Sequence, residues 1–139
     1  LYAIILHPQI EIKTSESRKT LPKMVPLFDV TRQLSDLGGL VHGLHTGDYD
    51  LIMNSLNDHI IEKHRSKLIP HFDIIKSKVL KAGVLGCSIS GSGPSIFALT
   101  KGKDLAIEIE LVFKSIYSKS SINFSTYVSN ISSNGVVTI

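Results

Sequence analysis

With 139 residues, 42% of them hydrophobic and 19% charged, the chain has the size of one compact domain and folds around a single core without disulfides or a structural metal. Fifteen Lys and Arg against 12 acids give a formal charge of +3, and the cations are scattered rather than gathered on one face with aromatics between them, so nucleic acid is not expected as a partner. One cysteine, Cys87, makes neither an internal disulfide nor a zinc or iron–sulfur set, which fits a reducing cytoplasm.

Leu1 to Leu6 reads as a strand with apolar residues on both faces, stopped by His7-Pro8. The apolar stretch to Pro8 is too short to cross a bilayer and lacks the flanks of a signal peptide, so no membrane role is expected. A chain that opens on a buried strand without Met is expected to be a piece of a longer protein. Ile10-Glu11-Ile12 alternates and extends the strand. In Lys13-Thr14-Ser15-Glu16-Ser17-Arg18 the Thr14 hydroxyl is placed to cap a helix of about two turns that Pro22 ends. From Val25, the residues Leu27, Val30, Leu34, Leu37, Val41 and Leu44 recur at alternating steps of three and four and form one stripe on a long helix. Gly38-Gly39 in its middle costs about 1 kcal/mol per glycine, which close packing of a neighbouring backbone can offset.

Thr46-Gly47-Asp48 ends that helix and starts another, with Leu51, Ile52 and Leu56 inward, and a weaker helical stretch carries Ile60, Ile61, His64, Arg65 and Leu68. Pro70 is expected as the first residue of a further helix with Phe72, Ile75, Val79 and Ala82 on its inner face, closed by Gly83. The period then changes. Val84 to Ile89 and Ser95 to Leu99 read as strands flanking a glycine turn, Asp104 caps a helix with Leu105, Ile109, Val112 and Ile116 inward, and Phe124 to Val128 and Gly135 to Ile139 finish as strands. The order fits an α+β domain, a small, mainly antiparallel sheet with helices on one side.

The sharpest chemical feature is Ser88-Ile89-Ser90-Gly91-Ser92-Gly93-Pro94-Ser95 between two apolar strands. Amides of such a turn can converge as an anion-binding nest, and a plain hairpin turn is the alternative. No Gly-Lys-Ser/Thr follows, so it is not a Walker loop, and Ile96 stands where a dinucleotide fingerprint needs its third glycine. The Gly-x-Ser-x-Gly elbow of a serine hydrolase is also missing. Six histidines form no complete ligand set; His42 and His45 are three apart with Asp48 beyond, and surface or interface positions suit them better than a metal site. Cys87, between apolar neighbours, is expected to be buried and inert.

The string from Leu85 to Leu99, centred on Ser90-Gly91-Ser92-Gly93, resembles the C-terminal glycine-rich motif of the small-molecule kinases grouped as galactokinase, homoserine kinase, mevalonate kinase and phosphomevalonate kinase (GHMP kinases). Within that group, His7-Pro8 to Ile12 followed by Lys13-Thr14-Ser15-Glu16-Ser17-Arg18 and Leu21-Pro22 is similar to the homoserine kinase family. The resemblance implies that residues 1–139 are a ferredoxin-like GHMP kinase C-terminal domain whose N-terminal, ATP-binding domain is absent. It implies an intact enzyme that moves the γ-phosphoryl group of ATP, with Mg²⁺, to the hydroxyl of L-homoserine in threonine biosynthesis, and one that commonly pairs as a homodimer. This chain alone is then expected to bind ATP poorly and to be inactive.

By the same resemblance Thr14, Arg18 and Arg65 belong to the homoserine pocket, and the loop Ser90, Gly91, Ser92, Gly93 supports the missing phosphate loop, with Gly91 near the substrate. The residue chemistry agrees: a substrate carboxylate suits the planar fork of an arginine, and Arg18 lies one turn into a helix whose positive end favours an anion. For Arg65 an alternative is a solvated helix arginine paired with Glu62 or Asp58. No catalytic base is nominated, because phosphoryl transfer rests mainly on alignment and charge stabilisation. The glycine motif by itself also fits a kinase for another small alcohol of mevalonate type. A non-catalytic amino-acid-binding or dimerisation module remains the alternative from a different class.

Overall fold

The computed structural model describes residues 1–135, so the strand expected over Gly135 to Ile139 lies, past its first residue, outside the described residues. Its elements are β1 (Tyr2–Pro8), α1 (Thr14–Lys19), α2 (Leu27–Thr46), α3 (Tyr49–Ser55), α4 (Glu62–Arg65) running into a 3₁₀ turn at Ser66–Leu68, α5 (Phe72–Lys81), β2 (Gly86–Ile89), β3 (Ile96–Thr100), α6 (Lys103–Tyr117) and β4 (Phe124–Asn130). The strands form one antiparallel sheet in the order β2-β3-β1-β4, with Ile4 opposite both Ala98 and Val128. Strand–helices–strand–strand–helix–strand with β1 and β3 central is the split βαβ pattern of ferredoxin-like folds.

Alternation along the central strands decides which face is buried. Ile4 and Leu6 of β1 and Ile96 and Ala98 of β3 point to one side, where they meet Ile75 and Val79 of α5 and Ala106, Ile109 and Phe113 of α6. Each strand residue between them is only half-buried. Tyr117 completes the core, its hydroxyl donating to the Pro70 carbonyl at 2.7 Å while burial pushes its pKa up to about 12. No helix among the described residues is long and apolar enough to cross a membrane.

Local signals set most helix ends, with three corrections. Gly47, in the left-handed conformation at φ 72°, closes α2, and Asp48 caps α3 by accepting from the Leu51 amide at 2.9 Å, as the sequence predicts. Thr14 is the first residue of α1 rather than its cap; Lys13 holds that position without a side-chain capping bond. Pro70 precedes α5, whose cap is His71 at φ 64°. Asp104 lies in the first turn of α6 and Gly102 is the cap, so Asp104 contributes through the helix dipole and not through a capping bond. Ile10 to Ile12 do not prolong β1; Ile12 packs under the glycine loop instead.

The largest departure is α2. The apolar stripe points outward, leaving Leu27, Leu34, Leu37, Val41 and Leu44 exposed, whereas Gly43 is buried and Gln33, Asp36, Gly39 and Leu40 are half-buried. The expected close packing exists at Gly39, against Ser55, and at Gly43, against Ile52; a Cβ on Gly38 would meet nothing within 4 Å among the described residues. Helices α2 and α3 also leave the side occupied by α5 and α6: Leu37, Leu40 and Leu56 line a cavity of about 130 Å³ together with Ser88 and Phe97, on the opposite sheet face.

Helix α6 carries a pH-sensitive tie to β4. Lys114 Nζ lies 2.8 Å from Glu110 Oε1, and Thr126 Oγ1 donates to the same oxygen at 2.6 Å. Those two bonds, Lys114 foremost, hold the Glu110 carboxyl below its ordinary range. A carboxyl depressed in the folded state adds stability above its unfolded pKa and loses it as pH falls through the folded value. The melting-temperature gap between wild type and Glu110→Gln is therefore expected to be widest near neutrality and to close as pH falls through and below the ordinary carboxylate range; a gap unchanged by pH would assign the bond no charge.

Candidate functional site

The loop from Ser90 to Ser95 joins β2 to β3 at the end of the sheet where β1 finishes. Its base is closed by the Ser90 amide donating to the Ser95 carbonyl at 2.8 Å, and its tip by the Gly93 amide donating to the Ser90 carbonyl at 3.1 Å. His7 Nδ1 and Ser95 Oγ share a hydrogen bond of 2.8 Å, fixing the loop to the end of β1. Gly91 and Gly93 both have positive φ, at 62° and 85°. Their surroundings differ. A Cβ on Gly93 would stand 3.0 Å from Ile69 Cδ1 and within 3.6 Å of Ile12, so Gly93 lets the loop lie flat on the core; a Cβ on Gly91 would meet nothing within 4 Å among the described residues. Gly91 is the open side of the loop.

Two segments reach this loop from elsewhere in the chain. Ser17 of α1 is completely buried and its hydroxyl donates to the Ser92 carbonyl across a long 3.5 Å. Arg65, the last residue of α4, donates from Nη1 to the Gly91 carbonyl at 3.1 Å. The arginine-bearing helix and the glycine loop are thus neighbours on one wall of the fold. Thr14 and Arg18, on the same short helix as Ser17, are exposed. Arg18 forms no ion pair among the described residues.

The local acids are engaged away from Arg65. Asp58 Oδ1 accepts from the amides of Ile60 at 2.9 Å and Ile61 at 2.7 Å, ordering the entry to α4. Glu62 binds Lys76 and accepts from Ser88 Oγ at 2.6 Å, tying α4 to α5 and β2. Neither carboxylate is paired with Arg65. Arg65 Nε is buried without a partner among the described residues, and a guanidinium presents five donors of which the Gly91 carbonyl takes one. Donors therefore remain for an anion beside the open face of Gly91.

Behind the site, His59 and Lys63 bind Asp36 and Asp29 of α2 at 2.8 and 3.1 Å, and Gln33 brackets His59 from the amide side at 2.9 Å. Among the described residues, no three His, Cys, Asp or Glu converge as a metal-ligand set. Cys87 lies buried below, its thiol pushed up to about 12 by desolvation.

Ser17 and the Asp58 turn escape the sequence reading. Ser17 sits in a run that is polar throughout, so periodicity gives no sign that one hydroxyl is buried. Asp58 before Ile60-Ile61 did carry a signal, the Asx turn that places a carboxylate over the next amides.

A sequence model of the family described as "GHMP kinases C terminal" matches residues 40–119, more than half of the chain, and its limits enclose Arg65 and the loop. The chain belongs to the GHMP kinase C-terminal family. Among relatives of this GHMP domain, homoserine kinase of Chlorobaculum tepidum is 41% identical over 137 residues, which are 97% of this chain and 42% of that protein. Homoserine kinase of Chlorobium phaeovibrioides is 47% identical over 106 residues, covering 76% of this chain and 33% of the relative. The crystal structure of homoserine kinase from Cytophaga hutchinsonii superposes with a TM-score of 0.90 at 46% identity, over 94% of this chain and 41% of that one. This GHMP domain therefore spans less than half the length of the relatives it matches.

Proposed function

We propose that residues 1–139 are the C-terminal, substrate-binding half of a homoserine kinase, and that Arg18, Arg65, Thr14 and Gly91 face the amino-acid substrate. The observation that carries the reading is the bond from Arg65 to the Gly91 carbonyl, which sets a second, unneutralised guanidinium at the loop beside the helix bearing Arg18. Likeness to homoserine kinases of Chlorobaculum tepidum and Cytophaga hutchinsonii supports the choice of substrate.

In this mechanism the two arginines take the carboxylate of L-homoserine, Arg18 as a planar fork from solvent and Arg65 from the loop side. Ser92 and Gly93 stiffen the loop so that Gly91 presents its open face to the substrate. The homoserine hydroxyl oxygen forms the new bond to the γ-phosphorus, the bond from that phosphorus to the bridging oxygen breaks, ADP leaves and the hydroxyl proton is released. Catalysis then rests on alignment and charge more than on a protein base. In this reading ATP and Mg²⁺ are held mainly by the preceding half of the polypeptide. The enzyme works in the cytoplasm, on the route to threonine, and pairing of two copies is compatible with it.

The test restores the preceding residues and measures ADP release with L-homoserine, L-threonine and mevalonate. Homoserine-dependent release that is absent from the 139-residue chain is the expected result. Turnover with mevalonate, or with no alcohol, overturns the substrate assignment.

A further inference from the structure

Two hydrogen bonds join α4 to β2 and the glycine loop, and they keep one register. Ser88 Oγ donates to Glu62 Oε2 at 2.6 Å, and Arg65 Nη1 donates to the Gly91 carbonyl at 3.1 Å. Each joins residues 26 apart, so the step of three from Glu62 to Arg65 matches the step of three from Ser88, in β2, to Gly91, in the loop. Residues three apart share one face of a helical turn. Glu62 begins this turn and Arg65 ends it.

The two bonds are not equals. Glu62 is held through both carboxylate oxygens, Oε1 by Lys76 of α5 and Oε2 by Ser88, and its side chain is only 12% exposed. A carboxylate so far out of water is costly to separate from its partners, so its place is firmly set. Arg65 has one acceptor, and its Nε is buried without a partner among the described residues. Helix α4 is four residues long, a single turn that cannot hold its own position. Of its other ties, Lys63 to Asp29 is made by a lysine 52% exposed, and His59 to Asp36 comes before the turn begins.

We infer that Glu62 is a positioning residue for Arg65: the clamp on its carboxylate fixes the rotation of α4 against β2, and with it the reach of the guanidinium to the Gly91 carbonyl and to the substrate. The clamp also removes a competitor. A Glu62 released by Lys76 and Ser88 stands three residues from Arg65 on the same face, where it can pair with the guanidinium in place of a substrate carboxylate. The step from Arg65 to substrate rests on the proposed homoserine reading; the step from Glu62 to Arg65 does not.

The test uses the polypeptide restored to full length, with Ser88→Ala and, separately, Glu62→Gln, so that the milder Ser88 variant reports even if the other folds poorly. Without substrate, NMR follows hydrogen exchange at the Arg65 Nε–H, assigned by its loss in Arg65→Lys. Both variants are expected to speed that exchange by roughly tenfold or more, as a held group gains local opening, while the Nε–H of the exposed Arg18 keeps its rate. With substrate, each variant is expected to raise the KM for L-homoserine about tenfold, yet to add no further factor in an Arg65→Ala background, because a residue that acts through Arg65 then has nothing left to position. Exchange at Arg65 unchanged by both variants overturns the inference. Losses in KM that multiply with that of Arg65→Ala also overturn it and make Glu62 a stabiliser of the fold. Faster exchange in a polypeptide that shows no homoserine-dependent ADP release keeps the positioning role and removes the substrate reading; release with unchanged exchange does the reverse.

Discussion

Replacing Arg18 by alanine in the polypeptide restored to full length is expected to raise the KM for L-homoserine by roughly 30- to 150-fold with little change in melting temperature. The magnitude is that of a charge-assisted hydrogen bond, about 2 to 3 kcal/mol. The small stability effect follows from the exposure of Arg18 and its lack of an ion-pair partner among the described residues. An interaction made equally in the ground and transition states moves KM and leaves kcat. Arg18→Lys keeps a point charge but loses the fork, so it should fall between wild type and alanine. Arg65→Ala should behave differently, since that side chain also donates to the Gly91 carbonyl and has a buried Nε; KM, kcat and melting temperature all suffer. If Arg18→Ala lowers the melting temperature as much as Arg65→Ala and leaves KM alone, Arg18 is a structural residue and the carboxylate lies elsewhere.

What the sequence disclosed depended on whether the partner of each pattern lies within this chain. Most inward residues of α5 and α6 were legible because their spacing matched a core that the same 139 residues supply: Ile75, Val79, Ile109 and Ile116 are buried, Leu105 and Val112 half-buried, and Ala82, past the end of α5, is exposed. The stripe on α2 was equally legible as a period and misleading as a location, because periodicity separates two faces of a helix without saying which one a neighbour covers. Here Gly43 and Gly39 meet α3, where small residues let backbones approach, and the leucines are left outside. Helix starts failed where a competing cap existed. His71 in the left-handed region and Gly102 at φ 90° took positions that Pro70 and Asp104 suit by type, since tertiary context placed the turns one or two residues away.

The candidate site was partly legible for a related reason. A glycine-rich loop between two strands announces itself, but its two glycines are interchangeable in sequence and unlike in structure. That Arg65 has no carboxylate partner among the described residues could not be read from Glu62-Lys63-His64-Arg65, in which Glu62 is an apparent partner three residues away. The structure turns Glu62 toward Lys76 and Ser88. Lys76 offsets the Glu62 charge and Ser88 donates to its other oxygen, so the arginine's donors are left for the loop.

The difference between the glycines makes the second large prediction. Gly91→Val forces a β-branched residue to φ 62° but places its Cβ in open space, so the folding cost is the backbone term alone, about 1 to 3 kcal/mol, or a shift of several degrees in melting temperature. Its effect on phosphoryl transfer should be far larger, roughly a hundredfold or more in kcat/KM, as expected when reacting groups lose alignment. Relaxing that φ moves the carbonyl that accepts from Arg65, and the added side chain occupies the face proposed to meet the substrate. Gly93→Val reverses the balance: its side chain runs into Ile69, Ile89 and Ile12, so the 139-residue chain itself should melt markedly earlier, before any substrate is involved. Kinetics and melting measured on both variants decide between the roles. Matched losses at Gly91 and Gly93 would make the loop a plain turn, whereas a stability loss concentrated at Gly93 and an activity loss concentrated at Gly91 divide it into a side that rests on the core and a side that meets the substrate.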